Sequence, residues 1–184
     1  MRMIPAIRRL SLSILLVLGS VSVTNAQLRD GDLCLGVHSG LIGTGGALAF
    51  GCDGEIATGK LGPGRVGIGG LGEFYSWRNP GMHGKYQYTD LIATCMYHAV
   101  LGKGRIDPFA GFFIGYEEVT LELDPSYRYL TGGKSTSGQS SPTLGLGGGI
   151  RYFFSRDWAL QARVGAGYGY YLLAVGLTLD LHGR

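Results

Sequence analysis

Two glycine-rich stretches have the spacing of nucleotide-binding turns. The sequence GIGGLG begins at Gly67 and matches a dinucleotide fingerprint, and GEIATGKL begins at Gly54 and approaches a phosphate-binding loop. Both chemistries require a helix N-terminus directly after the glycines, where backbone N–H groups hold the phosphates. An extended pattern continues from Glu73 instead, and Leu61 stands where the phosphate loop needs a hydroxyl. We therefore expect no nucleotide and no other cofactor.

The histidines are the next candidates for chemistry, and they lack the short spacing that is usual for metal ligands: His38, His83, His98 and His182. We expect no metal site, and we expect His38 and His98 to face the interior with satisfied ring nitrogens. Hydrolase chemistry would need a serine within reach of a histidine, and Ser39 directly follows His38. Adjacent strand residues point to opposite faces, so these two cannot form a nucleophile and base pair. The sequence predicts no catalytic residue.

The chain has an odd number of cysteines, Cys34, Cys52 and Cys95. A hairpin centred near Gly43 would bring Cys34 opposite Cys52, but the alternation of side chains places Cys34 inward and Cys52 outward. Either the register contains a bulge that allows a disulfide, or the thiols stay unpaired. We expect buried, unpaired thiols.

The chain alternates between extended segments of roughly ten residues and clusters of turn residues. Long amphipathic helices are absent from the pattern. We predict eight strands, at residues 32–41, 47–57, 65–77, 86–100, 106–123, 143–154, 158–167 and 170–181. Their even number permits a closed antiparallel barrel whose two ends meet on the same side.

The predicted connections differ in length. Residues 58–64, 101–105 and 155–157 form short polar turns, whereas residues 79–85 and 124–142 form longer loops. Outer-membrane barrels have short turns on the periplasmic side and longer loops outside. We therefore expect both ends of the barrel on the periplasmic side and the most exposed outer loop at residues 124–142.

Each predicted strand has one face of large apolar side chains and one face with few large side chains. In the stretch GLGGGIRYFFSRDW, residues 145–158, Leu146, Ile150 and Tyr152 share one face, while Arg151 and three glycines share the other. The interior of an eight-stranded barrel is just wide enough for side chains, so glycines make room there and apolar residues face lipid. The alternation predicts a transmembrane barrel rather than a soluble sandwich.

A set of charged residues falls on the predicted inward face. Isolated charges inside a narrow barrel would be strongly desolvated, and an arginine fork can bridge carboxylates from different strands. We therefore expect Arg151 and Arg163 each to contact at least one acid, which closes the lumen. The predicted network comprises Asp53, Glu55, Glu73, Asp90, Glu117, Arg151, Arg163 and Asp180.

The aromatic residues of the predicted strands divide between the two ends, as the two interfaces of a membrane require. One belt lies beside the short turns and comprises Tyr97, Tyr152, Phe154 and Trp158. The other lies toward the longer loops and comprises Tyr75, Trp77, Tyr86, Tyr88, Tyr116, Tyr168 and Tyr170.

The first 26 residues resemble a secretory signal peptide, with a basic start, an apolar segment at residues 10–18 and small residues before Gln27. Residues 27–184 then form one domain. The three arginines of the leader, Arg2, Arg8 and Arg9, account for the net charge of +3. A neutral mature chain gives no electrostatic reason to expect nucleic-acid binding.

Three stretches resemble the small outer-membrane β-barrel proteins of Gram-negative bacteria, in particular the Bacteroidota type related to the transmembrane domains of the OmpA, OmpX and opacity proteins. They are YTDLIATCMYHAVLG, RIDPFAGFFIGYEE and GGGIRYFFSRDWALQARVGAGYGYYLLAVGLTLDL. The resemblance extends from about Leu33 to Leu181. It implies an all-β fold, an eight-stranded antiparallel up-and-down transmembrane β-barrel in the outer membrane.

The resemblance also implies partners. The end of the chain resembles the final-strand signal of the barrel assembly machinery at Gly176, Leu179 and Leu181, although Val175 replaces a usual polar residue and three residues follow Leu181. We expect contacts with outer-membrane lipids and lipopolysaccharide, insertion by the assembly machinery, and a monomer.

The function predicted from these observations is that of an integral outer-membrane barrel with a structural, envelope-maintenance or surface-interaction role and no catalysis. Two alternatives stay open: a lipid-modifying barrel enzyme, which activity on lipid A would reveal, and a narrow pore, which single-channel steps would reveal.

Overall fold

The structure, a computed structural model, describes residues 29–42, 47–78, 84–101, 105–123, 136–168 and 170–181. The predicted signal peptide lies outside the described residues, as do residues 124–135 of the predicted outer loop.

The described residues form eight strands joined in sequence order. They are β1 Leu33–Ile42, β2 Ala47–Leu61, β3 Gly64–Arg78, β4 Gly84–His98, β5 Ile106–Leu123, β6 Thr136–Phe153, β7 Trp158–Tyr168 and β8 Tyr170–Leu181. Each strand pairs antiparallel with the next, and β1 pairs with β8 to close the barrel. The predicted fold class is confirmed. We call the end that holds Leu33 and Leu181 the inner end and the opposite end the outer end.

No helix within the described residues is long and apolar enough to cross a membrane.

Two strands extend by four residues or more beyond their predicted bounds. β2 continues to Leu61, because Lys60 and Leu61 pair with the start of β3 around a turn at Gly62, whose φ is +57°. β6 begins at Thr136 instead of the predicted Thr143. Residues 136–141 are polar, but their backbone groups pair with residues 117–122 of β5. Backbone pairing, and not the side-chain pattern, sets the length of these two strands.

The two faces of the barrel are assigned as predicted. Along β7, Leu160 and Val164 are exposed on the exterior, while Gln161 and Arg163 are buried in the lumen. The same holds in β6, where Leu146 is 71% exposed and Arg151 is fully buried. An exterior of large apolar side chains is the surface that a barrel presents to lipid.

Lumen glycines make room for larger side chains, as predicted. A Cβ added at Gly149 would lie 2.7 Å from Cζ of Phe109, and one at Gly36 would lie 2.7 Å from Oδ1 of Asp53. The glycine faces of β1 and β6 therefore allow aromatic and charged groups from other strands to fill the interior.

The prediction of the outer aromatic belt is wrong for four of its residues, which face the lumen. Tyr116 and Tyr168 are exposed on the exterior. Tyr75 is buried, however, and it stacks on Tyr88, which packs against the lumen core. Trp77 pairs in register with Tyr86 on the same face. These four aromatic residues face the lumen because each lies two or four residues from Glu73 or Asp90 on the same strand, and therefore on the same face. The side chain of Tyr170 lies outside the described residues.

The cysteine register also differs from the expected hairpin. Cys34 lies opposite Glu55, and Cys52 lies opposite Val37, so the hairpin is centred beyond Gly43. All three cysteines are free. Cys34 is buried in the lumen, but Cys52 is exposed on the exterior and Cys95 is half-buried, so the expectation of buried thiols holds for Cys34 alone.

Candidate functional site

The predicted lumen charges all lie on the interior face. Seven are buried: Asp53, Glu55, Glu73, Asp90, Arg151, Arg163 and Asp180. Glu117 is half-buried. These residues form three groups along the barrel axis. The inner group lies near the inner end, the middle group lies halfway along the barrel, and the outer group lies near the outer end.

Arg151 is the centre of the inner group. Its Nη2 donates to Oε2 of Glu55 at 2.9 Å, and its Nε donates to Oε1 of Gln161 at 2.8 Å. Nη1 lies 3.6 Å from Oδ2 of Asp107, and the guanidinium carbon lies 5.0 Å from the centre of the Phe109 ring. Arg151 on β6 thus connects β2, β5 and β7 across the lumen.

His98 connects the same two acids a second time. Its Nε2 lies 2.5 Å from Oε1 of Glu55, and its Nδ1 lies 3.0 Å from Oδ1 of Asp107. An imidazole placed between two ionised carboxylates is suited to carry a positive charge, because their oxygens only accept hydrogen bonds. Two cations, Arg151 and His98, therefore face two carboxylates.

A middle group has the same composition. Arg163 donates from Nη2 to Oδ2 of Asp53 at 3.2 Å. His38 lies with Nδ1 3.1 Å from Oδ1 of Asp53 and with Nε2 2.8 Å from Oε1 of Glu73. Here again two cations face two carboxylates, and the group crosses from β7 through β2 and β1 to β3.

The outer group has no such balance. Tyr75 donates its hydroxyl to Oε2 of Glu117 at 3.1 Å. Asp90 is fully buried, and neither of its oxygens has a hydrogen-bond partner among the described residues. Both arginines contact acids of the inner and middle groups, and neither contacts Glu117.

Asp180, the remaining predicted acid, is buried beside the inner group, opposite Cys34 in the register. Its backbone N–H donates to the carbonyl of Asp157 at 2.7 Å, which fixes the end of β8 to the turn before β7.

Sequence reasoning missed Asp107, and it gave His38 and His98 no partners. Asp107 has the same parity as Glu117 in β5, so the signal for an inward carboxylate was present in the alternation. The histidine partners depend on which lumen positions of distant strands share a level, and alternation along one strand does not contain that information.

The geometry limits the chemistry of these groups. Both nitrogens of His38 are engaged by carboxylates, and the Ser39 hydroxyl donates to the carbonyl of Ala49 at 3.0 Å. In the described part of the chain, no group of three or more His, Cys, Asp or Glu residues is arranged to hold a metal ion. The inner and middle groups are suited to bracing strands against one another.

No protein-family model matches the chain, and no curated protein matches it. Solved structures do match. The outer membrane protein OprG from Pseudomonas aeruginosa has a TM-score of 0.64 at 12% identity, over 87% of this chain and 100% of its own. Neisserial surface protein A has a TM-score of 0.55 at 13% identity, over 83% and 98%. The outer membrane enzyme PagL has a TM-score of 0.50 at 10% identity, over 80% and 99%. At such identities the likeness establishes the fold, which is that of the small eight-stranded outer-membrane barrels.

Proposed function

We propose that the chain is an integral outer-membrane barrel with a structural, envelope-maintenance or surface-interaction role, a lumen closed by side chains, and no catalysis. The relation to OmpA, OmpX and opacity barrels, and to their Bacteroidota type, rests on the sequence resemblance. Export through a cleaved leader at residues 1–26 is part of the same proposal.

The exterior supports the membrane location. Large apolar side chains such as Leu146, Val164 and Val175 are exposed along successive strands. In water such a surface would drive association, whereas in a bilayer it meets acyl chains. Closure of β1 on β8 also gives each of the eight described strands a hydrogen-bonded neighbour on both sides, as hydrocarbon requires.

The observation that carries the structural role is the pair of charge-balanced groups across the lumen. Arg151 is fully buried and connects three other strands. The gap beside Arg163 has a volume of about 10 Å³ and is lined by Leu71, Phe113 and Leu172. That is roughly the space of one water molecule. Buried ion pairs that cross the lumen favour a closed barrel over a pore, and histidines held on both nitrogens do not favour a general base.

The proposed partners follow from the exterior and from the last strand. Outer-membrane lipids and lipopolysaccharide would contact the apolar exterior of a monomer. The barrel assembly machinery would bind β8, whose Leu181 is exposed and whose Gly176 faces the lumen.

The test uses the purified, refolded chain and a deletion strain. We expect no reproducible single-channel steps in planar bilayers and no change in purified lipid A. We expect deletion to raise envelope-stress signalling or outer-membrane permeability. Regular conductance steps would replace this proposal with a pore, and deacylated lipid A would replace it with an enzyme.

A further inference from the structure

Three carboxylates lie side by side in the outer half of the lumen. Glu73 on β3 is the register partner of Asp90 on β4, and Asp90 is the register partner of Glu117 on β5. Residues that pair directly across neighbouring strands have Cβ atoms about 5 Å apart, and like charges there destabilise a sheet. A row of three acids is therefore costly unless a cation compensates it.

Asp90, the middle acid, lacks compensation among the residues that the structure describes. It is fully buried, and both of its oxygens are without hydrogen-bond partners among the described residues. The charged groups that act on it are the neighbouring carboxylates of Glu117 and Glu73. A buried polar group without a partner loses the hydrogen bonds that water would provide, and a buried charge loses more.

Among the described cations of the lumen, His38 contacts one acid of the row, Glu73, and none contacts Asp90 or Glu117. Arg151 and His98 face Glu55 and Asp107, while Arg163 and His38 face Asp53 and Glu73. Within the described part of the chain, no cationic side chain forms an ion pair with Asp90 or Glu117. The Tyr75 hydroxyl bonds Glu117 but carries no charge.

Four aromatic rings continue this row toward the outer end. Tyr75 and Tyr88 follow Glu73 and Asp90 on the same face and stack with centroids 4.4 Å apart. Trp77 and Tyr86 are the next pair, with centroids 5.9 Å apart. Aromatic faces attract organic cations, and carboxylates beside them add charged hydrogen bonds.

Access to the row is from the outer end. Glu117 and Tyr88 are half-buried, so solvent reaches this part of the lumen, and Asp90 lies next to Glu117 in the register. The described residues offer no arrangement for a metal ion. The combination of acids and aromatic rings instead fits a cation that carries both N–H donors and carbon atoms.

We propose that the outer half of the lumen binds an organic cation, an alkylguanidinium or alkylammonium group, through Asp90 and Glu117, with its alkyl part against Tyr75 and Tyr88. The N–H donors satisfy the oxygens of Asp90, and the positive charge balances the row of acids. This binding role goes beyond the structural role, and neither depends on the other.

The probe is butylguanidinium, with butylurea as its neutral counterpart of similar shape at the same ionic strength. The refolded barrel carries Trp158→Phe, which leaves Trp77 as its one tryptophan and as the reporter beside the site. We expect a saturable change in Trp77 fluorescence with butylguanidinium and none with butylurea.

Variants then locate the binding. Asp90→Asn and Glu117→Gln are each expected to weaken binding about tenfold or more, because each removes a charged hydrogen bond. Glu118→Gln is the matched control, since Glu118 is exposed on the opposite face, and it should keep the original affinity. Folding is checked for each variant by its heat-dependent gel migration, and Glu117→Gln decides if Asp90→Asn does not fold.

Two results would overturn the proposal. One is the absence of saturable binding to the parent barrel. The other is an affinity that Asp90→Asn and Glu117→Gln both leave unchanged. Because the measurement is made in detergent, neither result bears on the membrane role.

Discussion

Arg151 and Arg163 differ in how completely they are paired, and this difference gives a testable order of stabilities. Arg151 bonds Glu55 and Gln161 and lies near Asp107, whereas Nε and Nη1 of Arg163 have no hydrogen-bond partner among the described residues. Removing one partner of a buried ion pair costs about 3–5 kcal/mol, because the other charge stays buried. We expect Arg151→Met to lower the free energy of unfolding by that amount and Arg163→Met by less.

Urea unfolding in lipid vesicles measures this order. Arg156→Met is the control, since that side chain is 68% exposed and should change little. Combining Arg163→Met with Asp53→Asn should recover part of the loss, because the amide keeps a partner in His38 and leaves no charge. An Arg156 effect as large as that of Arg151 would contradict the role of the buried network.

The glycines on the lumen face give a second prediction at the residue scale. A Cβ at Gly36 would lie 2.7 Å from Oδ1 and 3.0 Å from Cγ of Asp53, which would displace that carboxylate from His38 and Arg163. We expect Gly36→Ala to destabilise the barrel by about 1–3 kcal/mol, the usual cost of overpacking. Gly54→Ala, where the nearest atom is 3.4 Å away, is the matched control in the same unfolding assay. Equal losses at both sites would indicate a backbone effect instead.

Alternation along each strand is enough to predict which charges enter the lumen, but it does not predict how they pair. Arg151 and Glu55 are 96 residues apart and lie on strands that are not neighbours. Their contact depends on the register of every strand between them. The same limit explains why His38 and His98 had predicted positions without predicted partners.

At the scale of the strand, we expect a charge on the exterior face of β7 to lower stability more, the closer its position lies to the middle of the bilayer. Val164 lies near the middle of β7 and is 54% exposed, whereas Leu160 lies closer to the inner end and is 51% exposed. An arginine on the lipid face costs about 2–4 kcal/mol at the midplane and less near an interface. We expect Val164→Arg to lower stability by this amount and Leu160→Arg by less.

Refolding into vesicles at increasing urea checks the order. Val164→Leu is the control, because it keeps an apolar group on the lipid face and should be neutral within error. If Val164→Arg were tolerated as well as Val164→Leu, the exterior of β7 would not face lipid.

Strand lengths were less predictable than strand faces. The apolar alternation of β6 begins at Thr143, yet the strand begins at Thr136 because polar residues there pair with the end of β5. Four aromatic residues of β3 and β4 also differ from the prediction, because they face the lumen and not the membrane. Their position near a strand end suggested a membrane belt, but the alternation that includes Glu73 and Asp90 directs Tyr75 and Tyr88 into the lumen.

At the scale of the whole molecule, the charge balance of the lumen is uneven along the barrel axis. The inner and middle groups pair cations with acids and connect strands that are distant in sequence. The outer group has acids and aromatic rings without paired cations. The paired groups thus lie at the inner end and in the middle, and the proposed binding site lies at the outer end, so the two roles would use different parts of the same lumen.

The orientation of the barrel gives the last prediction. β1 begins and β8 ends at the inner end, so the first and last strands share one side, and residues 124–135, the longest segment between two strands, connect the outer ends of β5 and β6. That segment contains Arg128 and Lys134, both cleavage sites for trypsin. If the inner end is periplasmic, trypsin added to intact cells should cut at these two residues. The two large fragments, which end at Arg128 and begin at Ser135, should stay associated until the barrel is unfolded, because β5 and β6 keep their partners. A variant with both Arg128→Gln and Lys134→Gln should be resistant under the same conditions. Cleavage that occurs only after the cells are ruptured would reverse the orientation and would place the acidic end of the lumen toward the periplasm.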